Sequence, residues 1–214
     1  SCLICQEITL MRHISVSFKC IVKVYLFETW VHFNMTLCKE DLSQFMWYVF
    51  VMTNYVLDGY DLSALFDFSS SPISFSENPR QYVPNRGSII YSVWDKDEKF
   101  IYIGISGKQK DVKKREPLTR MIKHASGSRS GDQFCVYVQD FHVIPKLVKE
   151  GEYTPQKGLL DRLTKEYIHK NLSYRFIPFN TDDSHLIVQM LERKIQSGEL
   201  GLVPSLNGTA SPQN

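Results

Sequence analysis

Two short apolar runs, Ser88–Trp94 and Lys99–Ile105, stand on either side of the charged tetrapeptide Asp95–Glu98. Runs of this length that are rich in Ile, Val, Tyr and Trp are typical of β-strands, and a short polar segment between two of them is typical of a turn. The pattern therefore predicts a β-hairpin whose strands each contain a tyrosine.

Apolar residues at helical spacing predict three helices after this hairpin. The first covers Pro117–Ala125, because proline suits the first turn of a helix, where its missing N–H would have had no partner. The second covers Leu159–Leu172, and the third follows Asp183, a residue type that caps helices, and runs through Ile195. The second half of the chain is thus expected to be rich in helix.

Two further strands are predicted between these helices. The segment 134–145 is apolar and ends at Pro145, so it predicts a third strand. The segment 174–179 predicts at most a short edge strand, because Pro178 has no N–H to donate to a strand ladder.

The first part of the chain has a different pattern. Residues 14–24 alternate between apolar and polar, which predicts a strand, and residues 39–56 have the apolar spacing of a helix. The segment 66–87 is rich in Ser, Pro and Asn and predicts a connector. We therefore divide the chain near residue 80 into a strand and helix region of unknown role (1–80), a second domain (81–209) and a loose tail (210–214).

Charge is distributed unevenly along the 214 residues. The net charge is only +2, but residues 79–130 contain 12 Lys and Arg against 5 Asp and Glu, and the remaining 13 basic and 18 acidic residues give −5. A basic face of this kind suits a polyanion such as nucleic acid, although a solvated positive surface without a partner would have the same composition.

Cysteine usage and hydropathy bear on the compartment. The five cysteines are an odd number and predict no disulfide framework, and the Cys2 and Cys5 pair lacks a second pair at zinc-ribbon spacing. Glu7 lies among the first residues without an early basic cluster, and the apolar stretch Phe45–Leu57 is too short to span a bilayer. We expect an intracellular protein of the reducing cytoplasm with no membrane segment.

Six polar residues occupy defined places in the predicted elements of the second domain. Arg120 and His124 are four residues apart and share one helix face. A guanidinium can hold two phosphate oxygens, a carboxylate can anchor a hydrated Mg²⁺, and a phenol whose pKa is lowered by a nearby cation can take a proton from water. This chemistry suits phosphodiester hydrolysis, and the six residues are Tyr91, Tyr102, Arg120, His124, Glu192 and Asn207.

Motifs around the same residues resemble a known family. "IIY", ten residues and then "YIG" resemble the signature of the GIY-YIG nucleases, with Ile89 where the family has its first glycine. "RMIKHA" matches the R-x-x-x-H element that follows, and "LERKIQSGELGLVPSLNG" resembles the later element, in which a helical Glu precedes an Asn by fifteen positions. The resemblance covers about residues 85–209.

The resemblance implies a fold and an activity. The fold would be α/β of the α+β type, a small three-stranded antiparallel sheet flanked by helices. The N-terminal extension of strand and helix comes from the residue pattern and lies outside the resemblance. The activity would be metal-dependent hydrolysis of DNA, with Glu192 binding Mg²⁺ or Mn²⁺. One site cuts one strand at a time, so double-strand cleavage would require a second binding event or a homodimer.

The resemblance also implies roles for the other site residues. Tyr91 or Tyr102 would help to deprotonate the attacking water, with Tyr91 favoured, and Arg120 would stabilise the charge on the phosphoryl oxygens. His124 would assist proton transfer or hold phosphate, and Asn207 would orient the site. Gly104, which ends "YIG", would let a backbone or a phosphate come close.

Some alternatives stay open at this point. The interval from Tyr102 to Arg120 is longer than is usual in the family, so Arg115 competes with Arg120 for the arginine role. A catalytically silent nucleic-acid-binding module on the same fold, or a plain interaction domain, is the alternative to a nuclease. The predicted phosphate contacts are Lys108, Lys110, Lys113, Lys114, Arg115 and Arg129.

Overall fold

The computed structural model describes residues 55–67, 71–111, 116–151, 154 and 156–209. These residues belong to a compact unit that spans Val49–Asn214. The strand predicted over 14–24, the predicted helix up to residue 54, the Cys2 and Cys5 pair and the tail 210–214 lie outside the described residues.

The centre of the unit is a four-stranded antiparallel sheet, whose strands lie side by side in the order Ile73–Ser74, Leu172–Phe179, Ser88–Asp95 and Phe100–Ser106. A ribbon of two short antiparallel strands and a short helix precede this sheet, and a 3₁₀ turn at Pro79–Gln81 lies between two of its strands. The bounds are β1 Val56–Leu57, β2 Tyr60–Asp61, α1 Ser63–Phe66, β3 Ile73–Ser74, β4 Ser88–Asp95, β5 Phe100–Ser106 and β6 Leu172–Phe179.

The predicted hairpin is confirmed as β4 and β5. Every residue of β5 and all but the last residue of β4 are buried, because helices cover both faces of the sheet. Burial on both faces explains why these strands are continuous apolar runs rather than alternating ones.

The three predicted helices are also confirmed. Asp183 occupies the N-cap position of the last one, although its side chain makes no capping hydrogen bond. The helices after the hairpin are α2 Pro117–Ser126, α3 Gln133–Val138, α4 Ile144–Glu150, α5 Leu159–Asn171 and α6 Ser184–Gln196, with a π-helical turn at Gln139–Val143 between α3 and α4.

The strand predicted over 134–145 is wrong, because this segment forms α3, the π turn and the start of α4. The side chain of Asp132 accepts a hydrogen bond from the Phe134 amide and so caps α3. Pro145 lies in the first turn of α4, where a proline is tolerated. The buried residues Phe134, Cys135 and Val138 follow the spacing of a helix face.

The prediction of a three-stranded sheet with 174–179 at its edge is also wrong. Strand β6 lies between β3 and β4, and β3 comes from the segment predicted to be a connector. Strand β3 pairs only with Ser173 and Tyr174, so Pro178 has a neighbouring strand on one side alone, opposite Ile89. Pro178 thus lies where β6 has no second neighbour, although β6 as a whole is an inner strand. The sheet combines residues from before and after position 80.

Two hydrophobic layers cover the two faces of this sheet. On one face, Tyr91, Tyr102 and Tyr174 pack against α2, α3 and α5. On the other face, Ile90 and Ile103 pack against α1 and α6. Strand β5 is an outer strand, so side chains from the two helical layers can face each other around its edge.

Candidate active site

The register of the hairpin places its two tyrosines on one face. Tyr91 lies opposite Gly104, and Tyr102 lies opposite Val93, so the tyrosines are diagonal neighbours with ring centroids 6.3 Å apart. Both side chains are buried.

Gly104 provides the space that Tyr91 occupies. A Cβ atom at Gly104 would lie 2.5 Å from Cζ of Tyr91 and 2.7 Å from Cε1 of Tyr102, and closer still to the Tyr91 hydroxyl. The absence of a side chain thus accommodates a tyrosine from the neighbouring strand rather than the approach of a backbone or a phosphate.

The hydroxyl of Tyr91 begins a buried chain of polar groups. It lies 2.6 Å from Nε2 of His124, and Nδ1 of the same ring lies 2.7 Å from Oδ2 of Asp132. Tyr91 and His124 are 0% exposed and Asp132 is 2% exposed. Because both ring nitrogens of His124 have partners, the proton-transfer role fits this histidine and direct phosphate binding does not.

The charges along this chain follow from burial and from the neighbours. Burial lowers the pKa of His124, against the opposing effect of Asp132, so the imidazole is neutral at neutral pH. Burial would raise the pKa of Asp132, but the hydrogen bond to His124, the charge of Arg120 and the Phe134 amide lower it overall. The chain therefore contains an ionised carboxylate next to a neutral histidine.

Both tyrosines are protonated in the free protein. Burial raises the pKa of Tyr91 well above its usual range and raises that of Tyr102 to about 12, although the charge of Arg120 lowers both. This is opposite to the sequence-based expectation of a phenol with a lowered pKa. Any proton that Tyr91 takes from water must therefore be matched by one that it gives away.

Arg120 lies beside the two tyrosines, on the same face of α2 as His124. Its side chain is half-buried, and its Nε–H is buried without a hydrogen-bond partner among the described residues. Burial disfavours its charge, but Tyr91, Asp132 and Tyr102 more than offset this and raise the pKa of Arg120. A cation with an unused buried donor is suited to receive an anion.

Glu192, on α6, interacts electrostatically with the same residues. Burial raises its pKa, whereas the charges of Lys108, Arg120 and Arg193 lower it. The charge of Glu192 in turn raises the pKa of Tyr91 and of Tyr102. A half-buried carboxylate and a half-buried guanidinium thus act on the same two hydroxyls.

Asn207 holds the chain against the open edge of β5. Its Oδ1 accepts a hydrogen bond from the Ile103 amide at 3.2 Å, and its Nδ2 donates to the Ile103 carbonyl at 2.6 Å. The two bonds use both the oxygen and the nitrogen of the Asn207 side chain, and their partner Ile103 directly follows Tyr102 in the sequence. The contacts fit the orienting role expected for Asn207.

The basic residues divide into three sets. Lys108 and Lys110 are exposed after β5, and Lys108 acts electrostatically on Glu192. Arg129 lies 3.8 Å from Oδ1 of Asp140, so part of its charge is already compensated within the chain. The other three predicted phosphate contacts, Lys113, Lys114 and Arg115, lie outside the described residues.

Sequence reasoning missed Asp132. The residue precedes α3 in "SGDQF", where the cap position and the distance of eight residues from His124 were the available signals. Because the segment after it was predicted as a strand, neither signal was used.

A divalent metal fits these residues only as an ion held by a single carboxylate. No group of three or more His, Cys, Asp or Glu side chains that could hold a metal occurs among the described residues. Mg²⁺ commonly binds through one or two carboxylates and completes its coordination with water and substrate phosphates. Glu192 would be that one carboxylate, and its metal role stays a prediction from the sequence.

Comparisons with protein-family models, with curated proteins and with solved structures gave no match to this chain. The resemblance to the GIY-YIG nucleases therefore stays a prediction that rests on its motifs. Within the described part of the chain, no helix is both long and apolar enough to cross a membrane.

Proposed function

We propose that the protein is a metal-dependent endonuclease that hydrolyses phosphodiester bonds of DNA. The observation that carries the proposal is that Arg120, whose Nε–H has no partner among the described residues, interacts electrostatically with Tyr91, Tyr102 and Glu192. An anion-binding group, hydroxyls and a carboxylate at one place are the parts that phosphoryl transfer requires.

The attacking water is activated through Tyr91 and His124. As the water oxygen forms its bond to phosphorus, its proton passes to the Tyr91 oxygen, and the Tyr91 proton passes to Nε2 of His124, 2.6 Å away. Tyr91 stays neutral throughout, in keeping with the raised pKa of this buried phenol. The bond from phosphorus to the leaving oxygen breaks, and that oxygen takes a proton from solvent.

Arg120 and Glu192 act on the charge of the phosphate. The guanidinium of Arg120 donates to the phosphoryl oxygens, whose negative charge grows in the transition state. Glu192 would hold Mg²⁺ or Mn²⁺, which when bound supplies Lewis-acid stabilisation of the same charge. Lys108, which is exposed and acts electrostatically on Glu192, would contact a neighbouring backbone phosphate.

Supercoiled plasmid incubated with the purified chain and Mg²⁺ tests this function. We expect conversion to nicked circles, which stops when EDTA removes the metal and resumes when Mg²⁺ or Mn²⁺ is restored. Salt-dependent DNA binding without nicking would identify a silent binding module instead. Absence of both nicking and binding would refute the nuclease proposal.

Removing the Tyr91 hydroxyl is expected to slow nicking by about 10³-fold, which is within the usual contribution of general acid–base catalysis. Tyr91→Phe retains the ring that fills the space over Gly104, so the fold should persist. Tyr102→Phe should cost much less, because it leaves the hydrogen bond between Tyr91 and His124 intact. Plasmid nicking rates under single-turnover conditions measure both effects.

Tyr167→Phe is the matched control for this pair. It also removes a tyrosine hydroxyl that is hydrogen-bonded to a histidine, Nδ1 of His142 at 3.1 Å, but at a place outside the site. Its nicking rate should equal that of the wild type. A larger loss for Tyr102→Phe than for Tyr91→Phe would instead identify Tyr102 as the proton carrier.

A further inference from the structure

The two carboxylate oxygens of Asp132 have two different donors. Oδ1 accepts a hydrogen bond from the Phe134 amide at 3.1 Å, and Oδ2 lies 2.7 Å from Nδ1 of His124. The carboxylate is almost completely buried. One residue thus joins the start of α3 to the histidine that contacts Tyr91.

We propose that Asp132 is a positioning residue that fixes His124 in the tautomer with its proton on Nδ1. An ionised carboxylate has no hydrogen to donate, so Nδ1 of His124 must be the donor in this pair. A neutral imidazole carries one N–H, and Nε2 is then a bare acceptor. The Tyr91 hydroxyl must donate to it, which is the direction that proton transfer from Tyr91 requires.

The role of Asp132 in catalysis rests on the proposed nuclease function, whereas the assignment of the His124 tautomer does not depend on it. If His124 carried its proton on Nε2, two acceptors would face each other at 2.7 Å, at a site where both partners are buried. Such a pair would cost the free energy of an unmade buried hydrogen bond. Asp132 therefore selects the tautomer through its chemistry and its placement together.

The substitution Asp132→Asn should invert this arrangement without removing the cap. The Phe134 amide still needs an acceptor, so the amide oxygen of the new side chain stays on that side. The NH₂ group is then directed at Nδ1 of His124, which must become an acceptor. The ring proton moves to Nε2 and faces the Tyr91 oxygen. Nε2 can then no longer receive the proton of Tyr91.

Nitrogen-15 NMR of the histidine side chains tests the tautomer directly. The signal of His124 is assigned by its absence in His124→Gln, because the chain has six histidines. We expect a protonated Nδ1 and an unprotonated Nε2 in the wild type at neutral pH, and the reverse in Asp132→Asn. A protonated Nε2 in the wild type would overturn the proposal, even if the variant failed to fold.

Nicking rates provide the functional readout. Asp132→Asn should slow nicking of supercoiled plasmid by about 10²-fold, at the lower end of general-base contributions. The control is Asp97→Asn, which makes the same change at an exposed hairpin-turn residue and should nick at the wild-type rate. An inverted tautomer with an unchanged rate would refute the catalytic role of Asp132. A wild type that does not nick DNA would refute the proposed function and leave the tautomer assignment to the NMR result.

Discussion

Replacing Arg120 with alanine is expected to lower the plasmid nicking rate by about 10⁴-fold, the size of effect that a transition-state arginine has in phosphoryl transfer. The reason is geometric. The Nε–H of Arg120 is buried, has no partner among the described residues and lies in a cluster that contains two tyrosines and a carboxylate. The interaction it would form with the phosphate strengthens as negative charge develops, so it should affect the rate more than DNA affinity.

Two further variants distinguish donation by the Arg120 guanidinium from the effect of its positive charge alone. Arg120→Lys retains the positive charge but lacks the planar fork of donors, and it should recover only a small part of the rate. Arg162→Ala removes an exposed arginine of α5 that pairs with Glu166 at 4.0 Å, and it should leave nicking unchanged. Titration of fluorescent duplex DNA should show a change in affinity of less than about tenfold for Arg120→Ala.

Arg115→Ala decides between the two arginines that the motif left open. We expect this variant to retain most of the nicking activity, with at most weaker binding at higher salt, because a phosphate contact contributes mainly to affinity. Full nicking by Arg120→Ala together with its loss in Arg115→Ala would assign the catalytic role to Arg115.

The elements that sequence predicted well are those whose burial pattern is local. The α2 helix begins at a proline and has a buried face formed by Leu118, Met121 and His124, which recur at steps of three. The spacing of Arg120 and His124 on α2 could therefore be read directly. The hairpin was equally accessible, since its turn is short and its strands are neighbours in sequence.

The remaining features depend on contacts between distant parts of the chain. Strand β6 is interior only because Ile73 and Ser74 pair with it from about a hundred residues earlier, and no local pattern records that pairing. The raised pKa of Tyr91 likewise follows from complete burial under helices that the sequence could not position. A segment such as 134–145, in which apolar residues are dense, fits both a strand and a helix until the capping residue is taken into account.

Glu192→Gln is expected to abolish nicking at every Mg²⁺ concentration, a fall of about 10⁴-fold or more, since the several kcal/mol of Lewis-acid stabilisation are lost with the ligand. Glutamine has nearly the same shape as the carboxylate, so the packing of α6 should be unaffected. Because the substitution also removes a negative charge near Arg120 and Lys108, DNA binding should be retained or become tighter. A variant that binds DNA normally but does not cut it would place the defect in chemistry rather than in folding.

Glu199→Gln is the matched control for the metal role of Glu192. Glu199 follows α6 and pairs with Lys194 at 3.5 Å, and it is more exposed than that lysine. The same change of charge there should leave nicking at the wild-type rate. Mn²⁺ line broadening in NMR spectra of the free protein gives an independent readout, which should be centred on residues near Glu192 in the wild type and in Glu199→Gln and be absent in Glu192→Gln. Nicking by Glu192→Gln that remains sensitive to EDTA would show that another group holds the metal, and the carboxylate would then be assigned to orienting Arg120 and Lys108 by its charge.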